Sequence, residues 1–228
     1  MINFNDRYVE QVDDISKFQP INNHVLVRVD FEPEKVTSAA GIYLGSSWWD
    51  EAGHTARFGQ VVKTPKMLLF RDDHKFGMEW GTVIEVEEGD VVYFGKMASY
   101  GAAVLSDDKG SYYLIHYSEL ILKLSGEELY PLNGYVVVTK EDDVVKSKLI
   151  IVPSKKHNKR LGVVKYIGRP NTHYFPKSKK IQEITGISEG DRVMFGIAGW
   201  TELEDPRYAK LDKNIGYIHR RWIVAQLV

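Results

Sequence analysis

The sequence predicts an all-β protein made of two small β-barrels in tandem. Short β-branched and aromatic segments recur along the chain, and Gly-Asp turns precede several of them. Gly and Pro interrupt the chain throughout, and no long stretch keeps the apolar spacing of a helix. A series of short strands favours barrels, because closure leaves no exposed edge strand.

The chain repeats four blocks in the same order, at offsets of 111, 103, 101 and 103 residues. The pairs are Pro20–Val27 with Pro131–Val138, Gly59–Lys63 with Gly162–Lys165, Glu88–Gly95 with Glu189–Gly196, and Ile115–Leu122 with Ile218–Ala225. Ordered repetition indicates a tandem duplication. We therefore expect an N-terminal extension over residues 1–19, a first barrel over 20–126 and a second barrel over 127–228, called here repeat one and repeat two.

Composition excludes several classes of protein. The chain has 228 residues and no cysteine, so disulfides, thiol catalysis and cysteine zinc sites are absent. No apolar run reaches the roughly 18 residues of a membrane span, and the N-terminus does not resemble a signal peptide. These features predict a cytoplasmic protein with no membrane partner.

Charge is distributed unevenly between the two repeats. Residues 1–126 carry 12 Lys and Arg against 19 Asp and Glu, whereas residues 127–228 carry 18 against 12. The formal net charge of −1 argues against a general polyanion binder. The two repeats are therefore expected to meet different surroundings, or each other.

Outside the barrels, the segment Tyr8–Phe18 has modest helical spacing of its apolar residues. It predicts a short N-terminal helix packed on the first barrel.

A long segment, Phe31–Phe58, separates the first strand from the second repeated block. Its middle places the apolar tripeptide Ile42-Tyr43-Leu44 between small residues. In an extended chain Ile42 and Leu44 point to the same side, which suits insertion into a hydrophobic groove. The alternative is that they form another strand of the barrel. The aromatic pair Trp48-Trp49 follows, and it either extends such a contact or packs on the barrel.

Catalytic chemistry finds little support in the sequence. The seven histidines lack metal-ligand spacing, and no phosphate-binding glycine loop or nucleophile elbow is present. His116 and His219 recur at matched positions, which favours a structural role. We predict no catalytic residue, no metal site and no enzymatic activity.

The combination of these blocks resembles the GroES-type co-chaperonins (the chaperonin-10 family). The likeness covers Pro20–Leu124 and, more weakly, Leu129–Val228. It implies irregular β-barrels assembled into a homo-oligomeric ring that caps an ATP-driven, GroEL-type chaperonin and assists protein folding. It also implies that the segments Pro65–Gly81 and Gly168–Gly186 form the roof of the cap. ATP would be bound by the chaperonin, so this chain needs no cofactor.

The resemblance assigns binding residues in both repeats. Ile42, Tyr43 and Leu44 would contact the apical domains of the chaperonin, and Ile150, Ile151 and Val152 hold the same place in repeat two. The second loop lacks the preceding glycine and carries Pro153 and a basic run after the tripeptide. It is therefore a weaker anchor, an anchor for another surface, or no anchor.

Two other functions stay open at this point. The divergence of both repeats suits a phage-encoded protein, including a structural or assembly protein that reuses the barrel, although a bacterial origin fits too. The basic tracts Lys155–Arg160 and Lys177–Lys180 suit a groove for single-stranded nucleic acid. The preferred interpretation of these tracts is a solvated face or a docking surface for the acidic half.

Overall fold

A computed structural model of the chain describes residues 9–29, 58–71, 77–95, 98, 102–125, 128–141, 160–174, 181–183, 186–196, 199–203 and 214–227. The strands are β1 (Val9–Gln11), β2 (His24–Val29), β3 (Phe58–Lys63), β4 (Trp80–Gly81), β5 (Val91–Phe94), β6 (Ala103–Asp107), β7 (Gly110–His116), β8 (Leu120–Ser125), β9 (Glu128–Pro131), β10 (Tyr135–Lys140), β11 (Leu161–Ile167), β12 (Thr172–Tyr174), β13 (Ile181–Glu183), β14 (Arg192–Phe195), β15 (Trp200–Glu202), β16 (Ile215–His219) and β17 (Ile223–Leu227). Single 3₁₀ turns lie at Ile15–Lys17, Tyr117–Glu119 and Arg220–Trp222. The all-β prediction is confirmed for the described part of the chain.

The chain divides into two compact units. The first unit comprises Met1–Met78 and Ile84–Leu120, and the second comprises Glu79–Val83 and Ile121–Val228. The prediction of three domains, with boundaries after residues 19 and 126, stays a prediction.

In the first unit, six strands follow the order β1-β6-β7-β2-β3-β5. In the second unit, β15-β16-β10-β11-β14-β17 form one sheet, β13-β12-β4 form another, and β8 pairs with β9. The ladders between the described strands form open sheets, so closure into two barrels remains a prediction.

Each unit has its own apolar core. In the first unit, the core includes the fully buried side chains of Val25, Val27, Phe94 and Ile115. In the second unit, the corresponding strands bury a cluster of aliphatic and aromatic side chains: Val136, Val138, Val164, Val193, Phe195 and Ile218. The β-branched residues of the repeated blocks thus form the interior, where strand pleating suits them.

The N-terminal segment differs from its prediction. Val9–Gln11 is a strand that pairs in parallel with Val104–Ser106, and Ile15–Lys17 forms a single 3₁₀ turn. The predicted helix over residues 8–18 is therefore wrong. Ile15 packs against Leu26, Leu105 and Tyr112. Pairing with the exposed edge of β6 satisfies the backbone of β1, and tertiary contact overrides the weak helical spacing.

A turn with two left-handed residues precedes β2 in the first unit and β10 in the second. In the first unit φ is 50° at Asn22 and 64° at Asn23, and His24 N donates to Ile21 O at 3.1 Å. In the second unit φ is 52° at Asn133 and 74° at Gly134, and Tyr135 N donates to Leu132 O at 2.8 Å. Asn and Gly tolerate this conformation at lower cost than other residues.

The Glu-Gly-Asp turns also match between the units. Gly89 and Gly190 have φ values of 95° and 89°. Asp90 Oδ2 accepts the N–H of Glu87 at 2.8 Å, and Asp191 Oδ2 accepts the N–H of Ser188 at 2.6 Å. These turns lead into β5 and β14, as the sequence predicted.

His116 and His219 end corresponding strands and cap the 3₁₀ turns that follow. The ring Nδ1 of His116 accepts the N–H of Ser118 at 3.4 Å, and Nδ1 of His219 accepts the N–H of Arg221 at 3.2 Å. Both rings therefore have a structural contact with the backbone.

Asn23 gives the first stability prediction. Its buried side chain donates from Nδ2 to Leu69 O at 2.8 Å and accepts the Leu69 N–H at 2.6 Å. Asn23→Ala leaves that N–H without its acceptor and places alanine at a positive φ, so the free energy of unfolding should fall by about 2–3 kcal/mol. Asn23→Gly keeps the turn but loses the bonds, and Asn22→Gly, at the exposed neighbour, is the control.

Urea denaturation monitored by tryptophan fluorescence measures all three variants. We expect the order Asn22→Gly, Asn23→Gly, Asn23→Ala from most to least stable. Equal stability of the three would show that the bonds to Leu69 contribute nothing.

Candidate functional site

The predicted binding residues lie outside the described part of the chain. Ile42, Tyr43, Leu44, Trp48 and Trp49 fall within residues 30–57, and Ile150, Ile151 and Val152 fall within residues 142–159. Their assignment stays a prediction. The structure does define the strands from which these two segments leave and to which they return.

In the first unit, both ends of the segment 30–57 are fixed on neighbouring strands. β2 ends at Val29 and β3 begins at Phe58, and the two strands pair antiparallel with Arg28 opposite Gln60. The chain therefore leaves and re-enters the sheet at adjacent positions.

The second unit repeats this arrangement around residues 142–159. β10 pairs with β11 so that Lys140 lies opposite Gly162, and Glu141 N donates to Leu161 O at 3.1 Å. Both ladders also carry a register shift, between Leu26 and Val27 in one unit and between Val137 and Val138 in the other. A bulge of this kind bends the strand and increases its twist.

A glycine follows each segment at the same place, and the structure gives the reason. A Cβ at Gly59 would lie 2.6 Å from Val27 Cγ1, and a Cβ at Gly162 would lie 2.6 Å from Thr139 O. These distances are shorter than van der Waals contact, so only glycine lets the returning strand approach the outgoing one here.

An ion pair marks the base of the second segment. Arg192 donates from Nε and Nη2 to the two carboxylate oxygens of Glu141, the second at 2.6 Å. The hydrogen bond to Arg192 holds the pKa of the Glu141 carboxyl below its usual value. This contribution to stability is present at neutral pH and is lost as pH falls through the lowered pKa, and exposure keeps it small. Repeat one has Val91 in place of Arg192, so this pair belongs to repeat two.

The second unit contains an aromatic cluster that sequence reasoning did not find. The Trp80 ring centroid lies 4.7 Å from that of His219, and the Arg221 guanidinium lies 5.2 Å from the Trp80 centroid. Glu79 pairs with Arg221 at 3.4 Å, and Trp80 lies opposite His173 in the β4–β12 pair. The sequence places Trp80 in the predicted roof segment of repeat one. No periodicity links it to His219, 139 positions later, or to Arg221.

Among the described residues, features of two other kinds are absent. No group of three or more His, Cys, Asp or Glu side chains within these ranges is arranged to hold a metal ion. In the same ranges, no helix has the length and apolar character required to span a membrane.

Comparison with known proteins identifies a family that is similar to part of this chain. The model of the family described as chaperonin 10 Kd subunit (Cpn10) matches residues 17–124. The match shows that this part of the chain is similar to the GroES-type family. It covers the first repeat and stops short of the second. A comparison with curated proteins gave no significant match.

The glycines at the loop bases give a second prediction. Gly59→Ala and Gly162→Ala force a Cβ into the neighbouring strand, and each should lower the free energy of unfolding by about 1–3 kcal/mol. Gly196→Ala is the matched control, because its nearest atom, Trp222 Cε3, lies at an ordinary 3.8 Å. Thermal unfolding measures the effect, and an unchanged midpoint in both variants would contradict the close approach.

Proposed function

We propose that this chain is a co-chaperonin that caps an ATP-driven chaperonin ring through a hydrophobic loop and assists protein folding. The match of residues 17–124 to the Cpn10 family carries the proposal. The antiparallel strands that bracket residues 30–57 support it, because both ends of that segment lie on neighbouring strands of one sheet. The chain is not an enzyme, it acts in the cytoplasm, and ATP belongs to its partner.

The contact with the chaperonin is made by Ile42, Tyr43 and Leu44. Burying side chains of this kind contributes about 1.5–3 kcal/mol each. Ordering the backbone of the loop costs about 1–2 kcal/mol per residue. One loop is therefore a weak ligand, and several loops on one assembly are needed for net binding. Weak individual contacts also let the cap leave when the chaperonin changes state.

The second barrel arose by duplication of the first. Several features occur at corresponding positions of both units: the left-handed turns before β2 and β10, the Glu-Gly-Asp turns, the capping histidines and the strand bulges. These correspondences go beyond sequence similarity, because they involve the same backbone bonds. They support two barrels with one loop each, at residues 30–57 and 142–159.

The chains assemble head to tail into a ring. Within one chain, the last strand of repeat one, β8, pairs with β9, which begins repeat two. Ile121 and Leu124 of β8 are 3% and 8% exposed, and Leu129 of β9 is 2% exposed. Because β9 covers β8, that strand presents no open edge, and these apolar side chains are buried.

The corresponding residues at the two ends of the chain are exposed. β17 is the last strand of its sheet, and its Val224 and Leu227, which correspond to Ile121 and Leu124, are 65% and 38% exposed. Phe18, which corresponds to Leu129, is 38% exposed. Pairing of β17 with the segment around Phe18 of the next chain would cover both. Such a contact joins unlike surfaces and closes into a ring when the rotation permits.

The loop contact is tested by charge substitution. Ile42→Asp with Leu44→Asp should abolish nucleotide-dependent binding to an immobilised GroEL-type chaperonin, because a buried carboxylate costs more than the contact contributes. Thr37→Asp with Ser38→Asp places the same two charges outside the tripeptide and should bind like the unchanged chain. Ile150→Asp with Ile151→Asp tests the second loop in the same assay. Undiminished binding of every variant would refute the loop assignment.

The head-to-tail contact is tested at β17. Val224→Asp should leave folding intact, since the side chain is exposed, and should shift the assembly toward single chains by at least tenfold in concentration. Gln226→Lys serves as the control. Its counterpart in β8 is Lys123, which is partly buried, so a lysine is tolerated at this position of the strand. Light scattering after size-exclusion chromatography reads the mass. An assembly that is equally stable with Asp at position 224 would rule out pairing through β17.

A further inference from the structure

The second unit holds the segment Glu79–Val83 through a set of directional contacts. Trp80 is 6% exposed, packs against His219 with the rings tilted by 48°, and receives the Arg221 guanidinium on its ring. Glu79 pairs with the same guanidinium. Tryptophan and arginine are enriched among the residues that dominate contacts between protein surfaces.

The first unit has the same receiving geometry at the corresponding positions. His24 and His116 meet edge to face at 5.5 Å and 85°, as Tyr135 and His219 do at 5.2 Å and 86°. The surroundings differ in exposure. His24 and His116 are half-buried, whereas His219 is 3% exposed.

In the first unit, segments bonded to His24 or to its neighbour Asn23 carry exposed apolar side chains. Ile21 is 67% exposed and its carbonyl contacts His24 Nδ1 at 3.1 Å, whereas the corresponding Leu132 is 2% exposed. Met67 is 66% exposed, and it lies two residues before Leu69, which the Asn23 side chain holds in place. We name the surface formed by Ile21, His24, Met67, His116 and Ser118 the His24 face. Exposed apolar side chains such as Ile21 and Met67 often mark contact sites.

The corresponding contact in the second unit indicates which segment should cover the His24 face. The offset of 101 residues places Ile181 at the position of Trp80. Both residues begin a short strand, β13 and β4, ahead of a Glu-Gly-Asp turn, and both strands pair with β12. The segment that corresponds to the Trp80 strand is therefore the strand Ile181–Glu183.

We infer that the His24 face docks the strand Ile181–Glu183 of another copy of this chain, as the second unit docks Glu79–Val83. This inference rests on the head-to-tail assembly proposed above and adds a second contact to it. The occupant is a second copy of this chain, because the counterpart of the Trp80 strand is the strand Ile181–Glu183 of repeat two.

The two junctions then differ in strength. Between repeats of one chain, the junction contains Trp80, Arg221 and Glu79. Between chains, isoleucine at position 181 replaces the indole and Ser118 replaces the arginine. These replacements remove the contact between the indole and the imidazole, the cation–π contact and the ion pair. On dilution, the assembly therefore separates at the chain-to-chain junctions.

Cysteine cross-linking tests the position of the contact, because the chain contains no cysteine. The variant with Ser118→Cys and Ile181→Cys is treated with a short bismaleimide at a concentration where the unchanged chain is assembled. We expect a ladder of covalently linked chains on a denaturing gel, and only single chains and dimers from each single-cysteine variant. An assembled double-cysteine variant that gives no ladder overturns the His24 face and leaves the ring intact.

Dilution of a strengthened variant tests the difference between the junctions. Ile181→Trp with Ser118→Arg copies the internal contact, and it should lower the dissociation concentration at least tenfold by mass photometry. Met67→Asp should raise it at least tenfold, with Thr201→Asp, at an exposed position of the second unit, as the charge control. No change in either test variant overturns the docking face. A chain that stays monomeric at all concentrations overturns the ring itself, and this result is distinct from the others.

Discussion

The pairing of β8 with β9 is the contact on which the rest of this account depends. A strand at the end of a sheet leaves a row of backbone donors and acceptors open, and something must cover it. Repeat one covers its last strand with the first residues of repeat two. The same strand in repeat two, β17, ends its sheet with Val224 and Leu227 exposed. In the proposed assembly, a tandem chain satisfies one junction internally and presents the two halves of the next junction at its ends.

This arrangement connects the fold to the proposed activity. A loop that contributes only a few kilocalories per mole needs neighbours on a rigid assembly to bind at all. The ladders β2–β3 and β10–β11 fix both ends of each loop segment, and Gly59 and Gly162 permit their close approach. Order in the sheets therefore confines the entropy cost of binding to the loop itself. The repeats have diverged, for example at Arg192 and its counterpart Val91. This divergence is compatible with two loops that bind different partners or bind with different affinity.

Much of the fold was predictable from local signals. The β-branched runs gave β2 and β10, and the Glu-Gly-Asp triplets gave the turns before β5 and β14, because each signal acts over a few residues. The helix over residues 8–18 was a wrong prediction, since pairing of Val9–Gln11 with β6 is a long-range contact that spacing does not report. Trp80 was missed for the same reason: its partners His219 and Arg221 lie far away in sequence. The loop residues Ile42, Tyr43 and Leu44 rest on resemblance, and they lie outside the described residues.

The central claim is that this chain is a co-chaperonin, and binding to a chaperonin tests it most directly. The purified chain is mixed with a GroEL-type chaperonin, with and without ATP, and the mass of the complex is measured by light scattering after size-exclusion chromatography. The account predicts a discrete oligomer that moves with the chaperonin only when nucleotide is present. A monomer that elutes apart from the chaperonin in every nucleotide state would contradict it.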